Sequence, residues 1–209
     1  MTDYDDARTA LADRLTRRER ISEETAAAIE AVPRHEFVPD SRRGDAYADR
    51  PLPIGDDQTI SAPHMVAIMT ELLDAEAGDR VLEIGTGCGY HAAVTSEVVG
   101  PESVYSVEFG EELAERARET LGRLGYDGID VRTGDGREGW PEHAPYDAAY
   151  FTCAVPEIPD AVVEQVRPGG TVLAPVGDWS QELVRVRVGE EGIESRERHG
   201  AVRFVSIRG

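Results

Sequence analysis

The chain has 209 residues and a formal net charge of −19 at pH 7, from 41 acidic side chains against 22 arginines and no lysine. This balance argues against nucleic-acid binding through a broad basic surface. A content of 40% hydrophobic residues argues against a disordered chain. We interpret the acidic surface as suited to a high-salt cytoplasm, where salt screens the repulsion between carboxylates.

The N-terminal stretch, the apolar runs and the cysteines bear on the cellular compartment of the protein. The stretch from Met1 to Asp6 is acidic and has no apolar core, so we expect no signal peptide. No apolar run reaches the length of a membrane span. Cys88 and Cys153 are the only cysteines, and they stand in no Cys/His spacing typical of zinc. We therefore predict a cytoplasmic monomer without disulfides, bound metal or membrane contact, built as one domain over residues 1–209.

The first 32 residues predict two helices. Ser22, followed by two glutamates, is typical of an N-cap, and Pro33 ends the second helix. Apolar residues of the first helix recur at helical spacing: Ala7, Leu11 and Leu15.

Residues 33–63 contain five prolines and little periodicity. An irregular segment of this length inside a domain is usually functional. Pro63 then begins a predicted helix that extends to Leu73. We treat residues 1–75 as a helical and loop extension, and residues 76–209 as the α/β core.

From Asp79 onward apolar runs alternate with helical patterns. We predict strands at 80–84, 103–108, 129–133, 146–152 and 170–176. We predict helices near 90–99, 110–124 and 158–166. This rhythm predicts a doubly wound, mostly parallel α/β sheet with right-handed crossovers. Alternating residues at 183–188 and 202–207, around a turn at 189–192, predict an antiparallel strand pair at the sheet edge.

The stretch from Val81 to Tyr90, Val-Leu-Glu-Ile-Gly-Thr-Gly-Cys-Gly-Tyr, predicts a buried strand that feeds a ligand-binding loop. Its glycines remove alternate side chains where the backbone turns, so a ligand can approach the main chain. The helix that follows would point its free N–H groups at the same place. The candidate contacts in this loop are Gly85, Thr86, Gly87 and Gly89.

Two further strand ends carry candidate ligand contacts. Glu108 ends the next strand, where a carboxylate can accept hydrogen bonds from both ribose hydroxyls. Asp135 and Gly136 follow the third strand, where the acid can accept from an exocyclic amine and the glycine leaves room for a flat base. Together these positions predict an adenosine-containing ligand. The alternative for each acid alone is a strand-end charge in solvent or a helix N-cap.

The spacing of the glycines decides between cofactors. A dinucleotide fingerprint would place its third glycine at position 90, which is Tyr90. Glu83, just before the loop, would repel a pyrophosphate but suit a cationic sulfonium. The pattern therefore favours S-adenosylmethionine over NAD.

The segment from Tyr47 to Ser61, Tyr-Ala-Asp-Arg-Pro-Leu-Pro-Ile-Gly-Asp-Asp-Gln-Thr-Ile-Ser, closely resembles the signature of protein-L-isoaspartate O-methyltransferases. The likeness extends from about Val32 to the C-terminus. It includes segments 32–39, 83–90, 134–136, 154–157, 167–170 and 202–205. The resemblance implies a Rossmann-like class I methyltransferase that esterifies the α-carboxylate of L-isoaspartyl residues in damaged proteins. Such a carboxylate, with a pKa of ~3.5, is already ionised, so the enzyme has to desolvate and align it.

The same resemblance implies the site residues. Ser61 would be the active-site residue, its hydroxyl donating to the acceptor carboxylate; the alternative is that it caps the helix at Pro63. Thr59 and Ile60 would line the cofactor side and Ala62 the substrate side. The implied substrate-side strand could pair with an extended peptide, or pack as an ordinary edge strand. Its candidate residues are Val202, Phe204 and Val205.

Several residues receive a structural interpretation or depart from the family pattern. Cys88 is expected to be a small packing residue, and His64 a first-turn surface residue. The departures are Asp56-Asp57, Phe151–Cys153, and the missing proline after Val205. They bear on substrate affinity and peptide fit more than on the methyltransferase assignment. Two alternatives stay open: a methyltransferase of the same fold for another carboxylate or a small molecule, and a catalytically silent cofactor-binding module.

Overall fold

The N-terminal helices form as the sequence predicts. The structure, a computed structural model, describes residues 4–209, so the first three residues of the acidic N-terminal stretch lie outside the described part. Helix α1 spans Tyr4–Glu19 and helix α2 spans Glu23–Ala31. Ser22 caps α2, because its Oγ accepts a hydrogen bond from the Thr25 backbone N–H at 3.1 Å.

The proline-rich segment is more ordered than predicted. It folds into two 3₁₀ helices and a hairpin, with bounds Arg34–Phe37, Asp40–Asp45, β1 Leu52–Gly55 and β2 Gln58–Ile60. Asp56 and Asp57 form the hairpin turn, both with positive φ (+52° and +57°). Aspartate tolerates this conformation better than most residues. The strands of three and four residues are too short to show a hydrophobic period.

The remaining elements follow the predicted alternation. Helix α3 spans Pro63–Leu73, with the predicted proline in its first turn. The rest of the order is β3 Val81–Ile84, α4 Tyr90–Val99, β4 Val104–Glu108, α5 Glu111–Arg123, β5 Asp130–Thr133, β6 Tyr146–Phe151, α6 Asp160–Val163, β7 Val166–Val176, β8 Gln181–Gly189 and β9 Gly192–Val202.

The predicted sheet architecture is confirmed. Seven strands pair in the order β5-β4-β3-β6-β7-β8-β9. Strands β3 to β7 pair in parallel, and β7, β8 and β9 pair antiparallel at one edge. Both faces of the central strand are buried: Val81 packs among the helices that precede it, and Leu82 and Ile84 pack on the opposite face.

Three predicted boundaries were wrong. The strand expected at 170–176 already begins at Val166, so the helix expected at 158–166 is only Asp160–Val163. The last strand is Gly192–Val202 and not 202–207. Almost all of β9 is exposed, so it lacks the alternation that marks a half-buried strand. The apolar residues after it belong to an extended tail.

Two further findings concern membrane-spanning helices and metal-binding groups. Among residues 4–209 no helix has both the length and the apolar character needed to cross a bilayer. In the same residues no three His, Cys, Asp or Glu side chains converge as a metal-binding group.

A chain of hydrogen bonds centred on Glu83 crosses the sheet. Glu83 is fully buried on β3; it accepts from Ser106 Oγ of β4 at 2.5 Å and from Tyr150 OH of β6 at 2.8 Å. Ser106 Oγ is also 2.6 Å from Thr86 Oγ1, and Tyr150 OH is 3.0 Å from Thr95 Oγ1 of α4. The chain therefore connects three adjacent strands to α4 and to the loop after β3.

The burial of Glu83 changes its titration. Removal from water raises the pKa of its carboxyl to about 8, although the hydroxyl groups of Ser106 and Tyr150 oppose that rise. The carboxyl therefore stays largely protonated at neutral pH. A neutral acid is far less costly to bury than a carboxylate.

We predict that Glu83 makes stability fall as pH rises. An unfolded glutamate has a pKa near 4.5. Between that value and about 8 the folded state keeps a proton that the unfolded state has released, so raising the pH favours unfolding. In that window the free energy of unfolding of the wild type, relative to Glu83→Gln, should fall by up to about 1.4 kcal/mol per pH unit. Urea unfolding of both proteins between about pH 5 and 8 measures this difference.

The matched control is Glu119→Gln, on the exposed face of α5. The difference between wild type and this control should vary much less with pH. A wild-type advantage over Glu83→Gln that is constant across the range would contradict the assignment of a raised pKa to Glu83.

Candidate active site

Two adjoining cavities lie at the edge of the sheet where the parallel strands end. The first is lined by the end of the hairpin, the loop after β3, the ends of β4 and β6 and the C-terminal tail. The second lies between α3 and the C-terminal tail. Four residues line both cavities: Thr59, Ser61, Thr152 and Val205. These residues form the wall that the two cavities share.

The glycine loop after β3 forms one side of the first cavity. Gly85 has φ +101°, and a β-carbon there would collide with Thr152 Oγ1, which donates to the Gly85 carbonyl. Gly87 has φ +56°, and its N–H donates to the Glu108 carboxylate at 2.9 Å. Thr86 lies between them on the cavity wall. The loop therefore presents backbone to the cavity, as the sequence predicts.

Gly89 differs from the other loop glycines. It is the N-cap residue of α4, and a β-carbon there would lie 3.1 Å from the Leu121 side chain. It does not line the first cavity. Its absent side chain lets α4 and α5 pack, so the structure shows a packing role at Gly89.

Glu108 lies in the first cavity at the end of β4, as predicted. The residue is only 6% exposed, and its carboxylate accepts from the backbone N–H of Gly87 at 2.9 Å and of Gly110 at 3.0 Å. Two fixed backbone donors orient the carboxylate, whose remaining lone pairs can accept from further groups such as hydroxyls.

Gly136 and Asp135 have different outcomes. Gly136 lines the first cavity, and a β-carbon there would collide with Ile84. Asp135 does not line it: its carboxylate accepts from the backbone N–H of Arg137 at 2.9 Å and pairs with the Arg137 guanidinium at 3.1 Å. The structure thus gives Asp135 the capping role that the sequence left as the alternative.

Glu83, which the sequence predicts as a cofactor contact, lies inside the sheet. Its side chain is fully buried among the strands and does not line either cavity. It acts on the site through Ser106, whose hydroxyl is hydrogen-bonded to Thr86 on the cavity wall. The sequence could not show on which side of the strand this acid points.

The end of the hairpin forms the opposite side of the cavities. Thr59 and Ile60, at the end of β2, line the first cavity, and Ala62 lines the second. Ser61 stands between them on the shared wall. These four residues are placed where the sequence predicts.

Ser61 does not cap helix α3. The N-cap residue is Ala62, which makes no side-chain cap. Asp49 takes over this task, because its Oδ1 accepts from the His64 backbone N–H at 3.0 Å and lies 2.8 Å from His64 Nδ1. Within residues 4–209 the Ser61 hydroxyl forms no hydrogen bond, so it is available to a ligand. His64, expected on the surface, lines the second cavity.

The C-terminal tail closes the second cavity. Val202, Phe204 and Val205 all line it, as predicted. The main chain of Phe204 is already bonded to the Gln181 side chain, at 2.6 Å and 3.1 Å, and the Val205 carbonyl accepts from the Ala154 N–H at 2.7 Å. The predicted tail strand therefore has fewer free main-chain groups for a peptide than an open edge strand.

Several residues that line the cavities were not predicted from the sequence, among them Thr152, Ile207 and Arg208. Thr152 directly follows β6, and the rule that selected Glu108 at a strand end could also have selected it. Ile207 and Arg208 line the first cavity from the tail, and Arg208 Nη2 donates to the Asp56 carbonyl of the hairpin turn. No local signal in the sequence marks that contact across the cavity mouth.

Burial disfavours thiolate chemistry at Cys88. It raises the pKa of the Cys88 thiol to about 11, despite the opposing effect of nearby backbone N–H groups. The thiol is therefore protonated at neutral pH. This agrees with the expected packing role.

Comparison with known proteins identifies the family. The family model for protein-L-isoaspartate(D-aspartate) O-methyltransferase matches residues 6–209. The chain is 54% identical over 208 residues to protein-L-isoaspartate O-methyltransferase 2 of Archaeoglobus fulgidus, covering 99% of this chain and 95% of that protein. It is 52% identical over 191 residues to the protein-L-isoaspartate O-methyltransferase of Methanopyrus kandleri, covering 90% and 84%.

Solved structures give the same result. A protein-L-isoaspartate O-methyltransferase structure is 32% identical, with a TM-score of 0.89, and the match covers 97% of this chain but 66% of that longer chain. A Plasmodium falciparum structure in complex with S-adenosyl-L-homocysteine has a TM-score of 0.81 over 96% of this chain and 98% of that chain; at 24% identity it supports the fold alone. The chain therefore belongs to the protein-L-isoaspartate(D-aspartate) O-methyltransferase family.

Proposed function

We propose that the chain uses S-adenosylmethionine to methylate the α-carboxylate of L-isoaspartyl residues in damaged proteins and peptides. The observation that carries the proposal is the wall shared by the two cavities. One cavity has the features of an adenosine site, the other lies between α3 and the C-terminal tail, and Ser61 lines both. Donor and acceptor can meet only at such a wall.

The first cavity fits the cofactor. Gly85 and Gly87 expose their backbone to the cavity, and Gly136 leaves space for a flat ring. Glu108 presents an oriented carboxylate that can accept hydrogen bonds from hydroxyl groups. Thr59 and Ile60 would complete this side. When bound, S-adenosylmethionine supplies a methyl group activated by a sulfonium. The protein supplies the polar groups that contact the bound cofactor.

The protein's task at the acceptor is orientation and not proton removal. A carboxylate with a pKa of ~3.5 is ionised at neutral pH, so no general base is required. The free hydroxyl of Ser61 would donate to one carboxylate oxygen and direct the other towards the first cavity. The apolar side chains of Ala62, Val202 and Phe204 would exclude water from the acceptor.

The decisive assay compares an L-isoaspartyl peptide with its L-aspartyl twin. Methyl ester formation, measured by methanol release, should occur on the isoaspartyl form only. Ser61→Ala should lower turnover about 10- to 100-fold, the cost of losing a hydrogen bond to a charged group, and should leave cofactor affinity largely unchanged. Ser195→Ala, on exposed β9, is the control and should retain wild-type turnover.

Each alternative to the proposed function predicts a different result in these assays. Methylation of a different carboxylate or a small molecule, with none of the isoaspartyl peptide, would assign a different substrate. Cofactor binding with no turnover of any acceptor would indicate a silent module. Wild-type turnover by Ser61→Ala would remove the role given to that hydroxyl.

We also infer that the protein is a cytoplasmic monomer adapted to high salt. The support is compositional: 41 acidic residues, 22 arginines and no lysine. Because salt screens repulsion among exposed carboxylates, the thermal unfolding midpoint should rise between low and molar KCl.

Sucrose is the control for this measurement, because it favours compact states by exclusion without screening charge. KCl should raise the midpoint by several degrees more than sucrose at matched osmolality. A midpoint that is equal at low and molar KCl would contradict the adaptation.

A further inference from the structure

The charged side chains that line the second cavity are basic, although the molecule as a whole is acidic. About a fifth of the chain is acidic, yet no aspartate or glutamate lines this cavity. Its two ionisable side chains are basic: His64 on α3 and Arg203 on the tail. A cavity without carboxylates in a chain of charge −19 is matched to an anionic ligand.

Arg203 is the free cation of the pair. Its side chain is exposed, and within residues 4–209 it forms no ion pair and no hydrogen bond. Among the arginines of β8 and β9, Arg198 pairs with Glu182 at 2.9 Å and Arg185 with Asp74 at 3.1 Å. Arg196 of β9 has no such partner within residues 4–209 either, but unlike Arg203 it lines neither cavity. His64, by contrast, is held by Asp49 at 2.8 Å.

The backbone that carries Arg203 is fixed. The next residue, Phe204, is bonded through both its N–H and its carbonyl to the Gln181 side chain. The Val205 carbonyl accepts from the Ala154 N–H at 2.7 Å. The backbone next to Arg203 is therefore held at the cavity, and the side chain that it carries lines that cavity.

Arg203 is not placed to bind the reacting carboxylate. It lines the second cavity only, whereas Ser61 lies on the wall shared with the first. A guanidinium paired with the reacting oxygen would also weaken that oxygen as a nucleophile. The charge of Arg203 is therefore directed at a group a residue or two along the peptide, within reach of a long side chain.

We propose that Arg203 is a specificity determinant that selects isoaspartyl peptides with an acidic side chain next to the isoaspartyl residue. This inference rests on the proposed function. The ligand class is an anionic peptide whose second carboxylate pairs with the guanidinium at the rim of the second cavity.

The test uses isoaspartyl peptides that differ at one neighbouring position, carrying Glu, Gln or Lys either directly before or directly after the isoaspartyl residue. Wild type, Arg203→Gln and Arg196→Gln are compared at one salt concentration. The control Arg196 is exposed on β9 and does not line either cavity, so both variants change the net charge equally. The readouts are kcat/KM and the peptide dissociation constant in the presence of S-adenosylhomocysteine.

In the wild type and in Arg196→Gln, the Glu peptide should be preferred over the Gln peptide at one of the two positions. Arg203→Gln should reduce that Glu/Gln preference about two- to fivefold, as expected for an exposed ion pair. Arg203→Glu should shift the preference to the Lys peptide. Ratios within each variant cancel any general loss of activity.

Equal Glu/Gln ratios in Arg203→Gln and Arg196→Gln at both positions would overturn the inference. The binding readout separates this from failure of the proposed function. Peptides that bind with an Arg203-dependent Glu preference but are not methylated would contradict the reaction and support the specificity determinant. Peptides that are methylated without that preference would do the opposite.

Discussion

The site depends on a buried carboxyl that lines neither cavity. Glu83 connects β3 to β4 through Ser106 and to β6 through Tyr150. The same chain of hydroxyl groups ends at Thr86, on the wall of the first cavity, and at Thr95 in α4. Because a buried polar group costs free energy unless it is paired, each member constrains its neighbours. The cofactor loop is thus held by a network that the sheet itself fixes, and the raised pKa of Glu83 keeps that network neutral near pH 7.

The Ser61 hydroxyl is free because another residue, Asp49, caps helix α3. A helix needs its first N–H groups satisfied, and the residue before a helix-starting proline is well placed to do this. Here Asp49, from the segment before the hairpin, accepts from the His64 N–H instead. The serine hydroxyl can then face the wall shared by the two cavities. Arg34 holds the segment that carries Asp49. Its side chain is fully buried, donates to the Ala46 carbonyl and lies 4.8 Å from the centre of the Tyr90 ring.

The sequence predicts what local chemistry determines and misses what tertiary contacts decide. The alternation after Asp79, the cap at Ser22 and the glycine loop follow from propensity and periodicity, and all three are present. Glu83 and Asp135 were both predicted as cofactor contacts. The Glu83 carboxyl is held by Ser106 and Tyr150, which are distant in sequence, whereas Asp135 pairs with Arg137, only two residues away. The limit of the last strand was missed because β9 is exposed on both faces. The contact from Arg208 to Asp56 joins residues 152 positions apart and has no local signal.

The central claim is that donor and acceptor meet at the wall shared by the two cavities, with Ser61 orienting the acceptor. A crystal structure of the chain with S-adenosylhomocysteine and an L-isoaspartyl peptide tests this most directly. The account predicts the adenosine beside Glu108 in the first cavity, the peptide in the second, and the isoaspartyl α-carboxylate within hydrogen-bonding distance of Ser61 Oγ. A carboxylate bound away from that wall, or a Ser61 hydroxyl that contacts only the cofactor, would contradict it.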